Sequence, residues 1–130
     1  IALVTRNLNK VKDNFKKFNL INYDELNYLK QGDIIINTTP VGMYPNVDNS
    51  AVKKEVISNF NIAIDLIYNP RKTKFLKYAE ESGLKILDGL YMLVGQAVKA
   101  EEIWNNVNIS DSSIEKIYKN IEIMLSGEEN

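Results

Sequence analysis

Residues 33–47 read DIIINTTPVGMYPNV, a short apolar run that ends abruptly in polar and turn-forming residues. The three isoleucines predict a buried strand, and the NTTP that follows predicts a loop directly after it. Three other apolar runs end in the same way, in TRN at 5–7, DLIYNP at 65–70 and DGLYMLVGQ at 88–96. The carboxyl ends of parallel strands share one edge of a sheet, which is where α/β proteins hold ligands. We therefore expect these four loops to line one crevice.

Strand patterns alternate with helix patterns along the chain, which predicts βαβ units and a mostly parallel sheet of the α/β class. The predicted strands are residues 1–4, 19–23, 34–36, 61–66 and 84–87. A helix is predicted over residues 11–18 from the spacing of Val11, Phe15 and Phe18. A second is predicted to be capped by Asp24 and stopped by Gly32. Further helices are predicted over residues 52–58 and 73–82, followed by two C-terminal helices. Thr73 is expected to cap its helix and Gly83 to end it in the left-handed conformation. Ser112 and Glu115 predict a capping box at the start of the last helix.

Composition bounds the classes of function. The chain has 130 residues, 45% of them hydrophobic and 25% charged, with a formal charge of -1. These values predict one globular domain and no nucleic-acid or anionic-membrane partner. The chain contains neither cysteine nor histidine, which argues against disulfides, thiol nucleophiles, histidine proton relays and the usual zinc sites, so we expect no metal. No apolar run approaches the roughly 20 residues of a membrane span and no signal peptide is evident, so we expect a cytoplasmic protein.

Two runs, NTTPVGM and DLIYNPRKTKFLKYAEESGLKILDGLYMLVGQAVKAEEIW, resemble the cofactor-binding domain of the shikimate dehydrogenase family in order and spacing. VTRNLNK also resembles the family's segment after the second strand of that domain. The resemblance implies a partial Rossmann-type three-layer domain over residues 1–130, with C-terminal helices over 92–130. For the parent enzyme it implies NADPH-dependent reduction of 3-dehydroshikimate to shikimate, on the route to aromatic amino acids.

The resemblance places Arg6, followed by Lys10, against the 2′-phosphate of the adenosine ribose, with Thr5 and Asn7 beside them. A strand end that reads hydroxyl then arginine, with no acidic residue to hold a free 2′-hydroxyl, also suits NADP better than NAD. The family usually has Asn before this arginine and Thr after it, and here the two are exchanged. Without the resemblance, Arg6 and Lys10 read as a solvated helix start.

The resemblance also implies that Thr39, Pro40 and Val41 contact the cofactor. Thr39 would offer a hydroxyl to the ribose and phosphate side. Pro40 fixes the turn, and Gly42 lets the backbone approach closely. The alternative is an ordinary Pro/Gly turn, which explains the glycine and prolines but not the hydroxyls before them.

Leu66, Gly89 and Met92 match family positions at the nicotinamide end, and Tyr68 and Gln96 match positions on the shikimate side. A phenol and a carboxamide can orient hydroxyls and a carboxylate without titrating near neutral pH. Taken alone, the leucine and methionine read as core residues and the glutamine as a helix-edge residue.

Parts of the family pattern are missing. The family's catalytic lysine and aspartate belong to an N-terminal substrate domain with no counterpart here, so no catalytic residue is assigned. No G-x-G-x-x-G lies near the start, and Tyr91 stands where the family often has glycine. The chain therefore looks like a fragment. In the strand order 3-2-1-4-5-6 the absent first strand would leave two open edges between the strands at Ile1 and Ile34, which favours self-association. The alternatives are a non-catalytic nucleotide-binding or assembly module and an NAD-using quinate/shikimate dehydrogenase.

Overall fold

A computed structural model describes residues 1–127. The strands are β1 Ala2–Val4, β2 Asn19–Ile21, β3 Gly32–Asn37, β4 Phe60–Asp65 and β5 Lys85–Leu87. The α-helices are α1 Tyr23–Leu26, α2 Lys54–Ile57, α3 Lys74–Glu81, α4 Leu90–Asn105 and α5 Asp111–Gly127. Over this part of the chain, no helix combines the length and the apolar character needed to cross a membrane.

The strands form two parallel sheets, as the βαβ pattern predicts. One sheet has the order β1-β2 and the other the order β3-β4-β5. In the larger sheet Ile34 lies beside Ile62, and Ile62 lies beside Lys85. Within residues 1–127 no strand pairing joins the two sheets, and this break falls where the order 3-2-1-4-5-6 places its first strand.

One face of the larger sheet carries the main core. The register puts Ile35, Ala63 and Ile86 side by side, and α2 and α3 cover them with Ile57 and Phe75. Both covering side chains are fully buried, and each such burial stabilises the fold by about 1.5 to 3 kcal/mol. The neighbouring residues of β3 point to the opposite face, because successive side chains alternate. That face is only partly covered, since Ile34 and Ile36 remain half exposed.

The two ends of α3 follow the sequence expectation. The Thr73 hydroxyl accepts a hydrogen bond from the backbone N–H of Leu76 at 3.3 Å. Gly83 has φ +81°, the left-handed conformation that glycine adopts without strain. Local chemistry therefore fixes α3 between β4 and β5.

The C-terminal helices pack on each other in a second core. Its buried residues are Leu90, Val94 and Val98 of α4, which contact Ile114 and Tyr118 of α5 among others. The helical part begins at residue 90 instead of 92. The expected capping box at Ser112 and Glu115 is wrong, because α5 already begins at Asp111 and the Ser113 N–H is bonded to the hydroxyl of Ser110. The final residues of the predicted helical range lie outside the described residues.

Three further expectations in the first third of the chain are wrong. The helix predicted over residues 11–18 is absent, and the segment forms only single 3-10 turns at Leu8–Lys10 and Asp13–Phe15. A short helix depends on packing its apolar face, and Phe15 and Phe18 stay 44% and 37% exposed. Asp24 does not cap α1. Asn22 does, because its side chain accepts from the Glu25 N–H while the Glu25 carboxylate accepts from the Asn22 N–H, both at 2.8 Å. Gly32 lies inside β3, beyond the end of α1.

Candidate functional site at the carboxyl edge of the larger sheet

The loops after β3, β4 and β5 meet at one edge of the sheet. The Leu66 N–H donates to the Asn37 carbonyl at 3.1 Å, and the Gly89 N–H donates to the Ile67 carbonyl at 3.1 Å. These backbone bonds hold the end of β4 between its two neighbours. Three of the four predicted loops therefore meet at one edge, whereas the TRN loop at 5–7 follows β1 of the smaller sheet and is not joined to them by strand pairing.

A buried carboxylate organises this edge. Asp65 is fully buried and accepts hydrogen bonds from Asn37 Nδ2 at 3.1 Å, the Ile67 N–H at 3.1 Å and the Thr73 hydroxyl at 2.6 Å. Burial raises the pKa of Asp65 above its ordinary value, although these hydrogen bonds from Thr73, Ile67 and Asn37 pull it the other way. One side chain thus ties the end of β3, the loop after β4 and the cap of α3 together.

The loop after β3 is an extension of that network. Asn37 Oδ1 accepts from both the backbone N–H and the hydroxyl of Thr39, at 3.1 and 2.7 Å, and the Thr39 oxygen accepts from the Val41 N–H at 3.3 Å. The Thr39 hydroxyl therefore donates its only proton to Asn37. Toward a ligand it can act only as a hydrogen-bond acceptor, through its remaining lone pair. Pro40 is exposed and Val41 partly buried. Gly42, at φ +98°, turns the chain back.

Gly89 is required by a close backbone approach. A Cβ added to Gly89 would lie 2.1 Å from the Leu66 carbonyl oxygen and 3.0 Å from the Ile67 carbonyl carbon. No real side chain fits there, so this position depends on glycine. At Gly89 the contact with the loop after β4 is therefore made by backbone atoms.

Four side chains in the segments that follow β4 and β5 are exposed. Leu66 and Tyr68 follow β4 and are 36% and 43% exposed, and Met92, on α4, is 40% exposed. Gln96 is one helical turn beyond Met92 and is also exposed. Residues four apart share one face of a helix. Met92 and Gln96 therefore lie on one side of α4, which begins directly after Gly89.

The predicted phosphate-binding residues lie on the smaller sheet. Arg6 and Lys10 are exposed in the segment that follows β1. The Asn7 N–H donates to the Thr5 hydroxyl at 3.3 Å, and Asn7 Oδ1 accepts from the Asn9 N–H at 3.0 Å. All hydrogen bonds found for residues 5–10 in the described chain stay within residues 5–21. The turn presents Arg6 outward, and no acidic residue occurs between 5 and 12.

A charged cluster that the sequence did not reveal adjoins Gly89. Arg71 donates to Asp88 Oδ2 through Nε at 2.9 Å and one terminal nitrogen at 2.8 Å, while its other terminal nitrogen donates to Glu122 Oε1 at 3.1 Å. Partial burial lowers the pKa of Arg71, but the hydrogen bond and charge of Asp88, the hydrogen bond to Glu122 and the charge interaction with Tyr118 outweigh it, so the pKa is raised overall. We call Arg71, Asp88 and Glu122 the arginine bridge.

Tyr91 belongs beside the arginine bridge. Its ring meets the ring of Tyr118 of α5 edge to face, with centroids 5.6 Å apart. Both rings line a cleft of about 700 Å³ with Arg71 and Asp88. Tyr91 thus contacts α5, and its ring serves the packing of the two C-terminal helices.

Sequence reasoning missed Asn37, Asp65 and Asp88 as organising residues. Each is a polar residue at or directly after the end of an apolar strand, the same pattern that singled out Thr39. The partners of these residues lie far along the chain, with 28 positions between Asn37 and Asp65. The polar strand ends could have been noted, but their pairing could not.

Comparison of the sequence and comparison of the structure with known proteins both find shikimate dehydrogenases. No protein-family model matches the chain. A shikimate dehydrogenase (NADP(+)) of Clostridium perfringens is 50% identical over 123 residues, which are 93% of this chain and 45% of that protein. The structure of a chorismate mutase/shikimate 5-dehydrogenase fusion protein from Clostridium acetobutylicum superposes with a TM-score of 0.92 at 50% identity, covering 96% of this chain and 46% of that one. The chain spans about half the length of the curated relatives it matches.

Two solved relatives carry ligands. A shikimate dehydrogenase in complex with NADP+ is 36% identical, with a TM-score of 0.64, over 80% of this chain and 36% of its own. A shikimate 5-dehydrogenase from Listeria monocytogenes in complex with shikimate and NAD is 30% identical, with a TM-score of 0.64, over 77% of this chain and 36% of its own.

Proposed function

Since the chain belongs to the shikimate dehydrogenase family, we propose that residues 1–130 form most of the NADP-binding domain of an enzyme that reduces 3-dehydroshikimate to shikimate. The observation that carries the proposal is the 50% identity, over 93% of the chain, to a relative named for this NADP-dependent activity. When bound, NADPH would supply the hydride that reduces the substrate ketone.

Arg6 and Lys10 are proposed to hold the 2′-phosphate, with Thr5 and Asn7 shaping the turn that presents them. A guanidinium makes paired hydrogen bonds to phosphate oxygens, and residues 5–12 lack the acidic side chain that holds a free 2′-hydroxyl in NAD-binding domains. The residues present therefore fit NADP.

The loop after β3 is proposed to follow the ribose and phosphates through Thr39, Pro40 and Val41. The hydrogen bonds between Asn37 and Thr39 fix its backbone, so it needs little reorganisation to receive a ligand. Beyond it, Leu66, Gly89 and Met92 would border the nicotinamide, two by packing and Gly89 by its backbone.

Tyr68 and Gln96 are proposed to orient the substrate. Both are exposed, Tyr68 in the loop that also holds Leu66 and Gln96 on the helix that also holds Met92. A phenol and a carboxamide can each donate and accept hydrogen bonds, so they suit the hydroxyls and carboxylate of shikimate. The proton transfer at the substrate hydroxyl is left to residues outside this chain.

The test is a comparison of the full-length protein with residues 1–130 alone. We expect shikimate-dependent reduction of NADP+ by the full-length protein and none by residues 1–130. We also expect the isolated chain to self-associate or to bind NADP weakly, because its two sheets leave strand edges unpaired. A full-length protein without turnover would contradict the proposed activity and favour a non-catalytic nucleotide-binding or assembly module. Turnover by a monomer of residues 1–130 would contradict the assignment of this chain to the cofactor side.

The alternative cofactor is NAD, which the Listeria monocytogenes relative holds in its solved complex. Initial rates with NADP+ and NAD+ at matched concentrations distinguish the two. Preference for NAD+ would reject the assignment of Arg6 to the 2′-phosphate.

A further inference from the structure

The arginine bridge reaches the proposed nicotinamide end through Asp88. While Asp88 Oδ2 binds Arg71, its Oδ1 accepts a hydrogen bond from the backbone N–H of Leu90, the first residue of α4, at 3.1 Å. Gly89 lies between these two residues, and its own N–H is bonded to the Ile67 carbonyl at 3.1 Å. The position of Gly89 is thus set by the loop after β4 on one side and by Asp88 on the other.

The Arg71–Asp88 pair of the bridge is partly shielded from water. The side chains of Arg71 and Asp88 are 23% and 14% exposed, and that of Glu122 is 39% exposed, whereas those of the surface pair Lys54 and Glu81 are 43% and 56% exposed. Partly buried, hydrogen-bonded ion pairs are screened less than exposed ones, so removing one partner has a larger effect. Only the planar fork of arginine can bind both carboxylates through separate nitrogens, since a lysine offers a single point of charge.

The same guanidinium reaches the last helix. Its contact with Glu122 joins α5 to the loop after β4, across 51 positions of sequence. The Tyr118 hydroxyl also donates to Glu122 Oε1 at 3.3 Å. A change in the position of α5 would therefore pull on Arg71, and through Asp88 on the first turn of α4.

We propose that Arg71 is a positioning residue, which transmits the placement of α5 through Asp88 to Gly89 and so aligns the nicotinamide end of the site. The inference rests on the proposed function. It assigns a task to the C-terminal helices beyond packing, because Glu122 helps to set where the Gly89 backbone stands. The residues at 5–10, which would hold the other end of the dinucleotide, follow β1 of the other sheet, and none of their hydrogen bonds in the described residues reaches the bridge.

The experiment measures kcat, the KM for shikimate and the Kd for NADPH in the full-length enzyme and its variants. Arg71→Lys should lower kcat by about fivefold or more, because displacement of a reacting group by a fraction of an ångström is costly. The Kd for NADPH should stay nearly unchanged, since its phosphate contacts lie elsewhere. Glu122→Gln should lower kcat in the wild-type background and add little to Arg71→Lys, as expected for two residues that act through one path. Lys54→Gln, which breaks the exposed pair with Glu81, is the matched control and should leave kcat unchanged.

Three results would overturn the proposal. They are a wild-type kcat in a folded Arg71→Lys enzyme, additive effects of the two bridge variants, and a parallel loss of Tm, NADPH affinity and kcat that marks a purely structural role. A wild-type enzyme without turnover is a different failure, because it contradicts the proposed function before any variant is compared.

Discussion

Gly89→Ala tests the close approach between the start of α4 and the loop after β4. The added Cβ would meet the Leu66 carbonyl oxygen at 2.1 Å and would have to move beyond 3.0 Å, a shift of about 0.9 Å. The loop cannot easily yield, because the Leu66 N–H is bonded to the Asn37 carbonyl and the Ile67 N–H to Asp65. A displacement of about 1 Å at a positioned group can cost about 100-fold in rate, and overpacking destabilises by about 1 to 3 kcal/mol.

We therefore expect kcat of full-length Gly89→Ala to fall by about 100-fold, with a lower Tm. The assay is steady-state oxidation of shikimate with NADP+, beside thermal unfolding. Gly95→Ala is the matched control. Gly95 lies within α4, and a Cβ added there would meet no other atom within 4 Å. Alanine also favours a helix over glycine by about 1 kcal/mol. A Gly89→Ala enzyme with wild-type kcat and Tm, or a Gly95→Ala enzyme equally impaired, would refute the reasoning.

Three further substitutions probe separate parts of the site. Arg6→Ala should weaken NADPH binding by about 1.5 to 3 kcal/mol, the scale of a hydrogen bond to a charged group, and change NADH little; equal losses in a titration of both cofactors would remove Arg6 from the 2′-phosphate. Gln96→Ala should lower kcat/KM for shikimate by about tenfold with NADPH affinity nearly unchanged, and a matching fall in NADPH affinity would make Gln96 structural. The raised pKa of Asp65 means that the folded state holds its proton more tightly than the unfolded state. The stability that this carboxyl contributes is therefore greatest below its ordinary pKa of 3.8 and is lost as pH rises through its folded pKa. Chemical denaturation at a series of pH values from below 3.8 upward should show that the free energy of unfolding of the wild type falls relative to that of Asp65→Asn as pH rises. A difference between the two proteins that stays constant with pH would contradict the raised pKa of Asp65.

Sequence alone predicted the features that local chemistry decides. The isoleucine runs of β3 and β4, the threonine cap of α3 and the left-handed Gly83 each depend on neighbours within a few residues. The helix over residues 11–18 was wrong because its formation depends on a surface to pack against, which spacing does not reveal.

The contacts that organise the site could not be predicted from the sequence, because they join residues that are far apart along the chain. Asp65 accepts a hydrogen bond from Asn37, which is 28 positions away in the sequence, and Arg71 donates one to Glu122, which is 51 positions away. Nothing near Arg71 in the sequence distinguishes it from the lysines around it. Only the fold shows that its guanidinium is shared between two carboxylates.

The parallel pairing of β3, β4 and β5 has a consequence for the order of folding. Ile34 lies beside Ile62, and Ile62 beside Lys85. Each pairing therefore closes a long loop, and the chain loses conformational entropy before the contacts between the strands can offset that loss. Such non-local pairings form slowly. Because the loops at the carboxyl edge converge only once all three strands are aligned, we expect the proposed dinucleotide surface to form late in folding. A ligand that binds only the aligned strands would therefore stabilise the folded state relative to the unfolded chain.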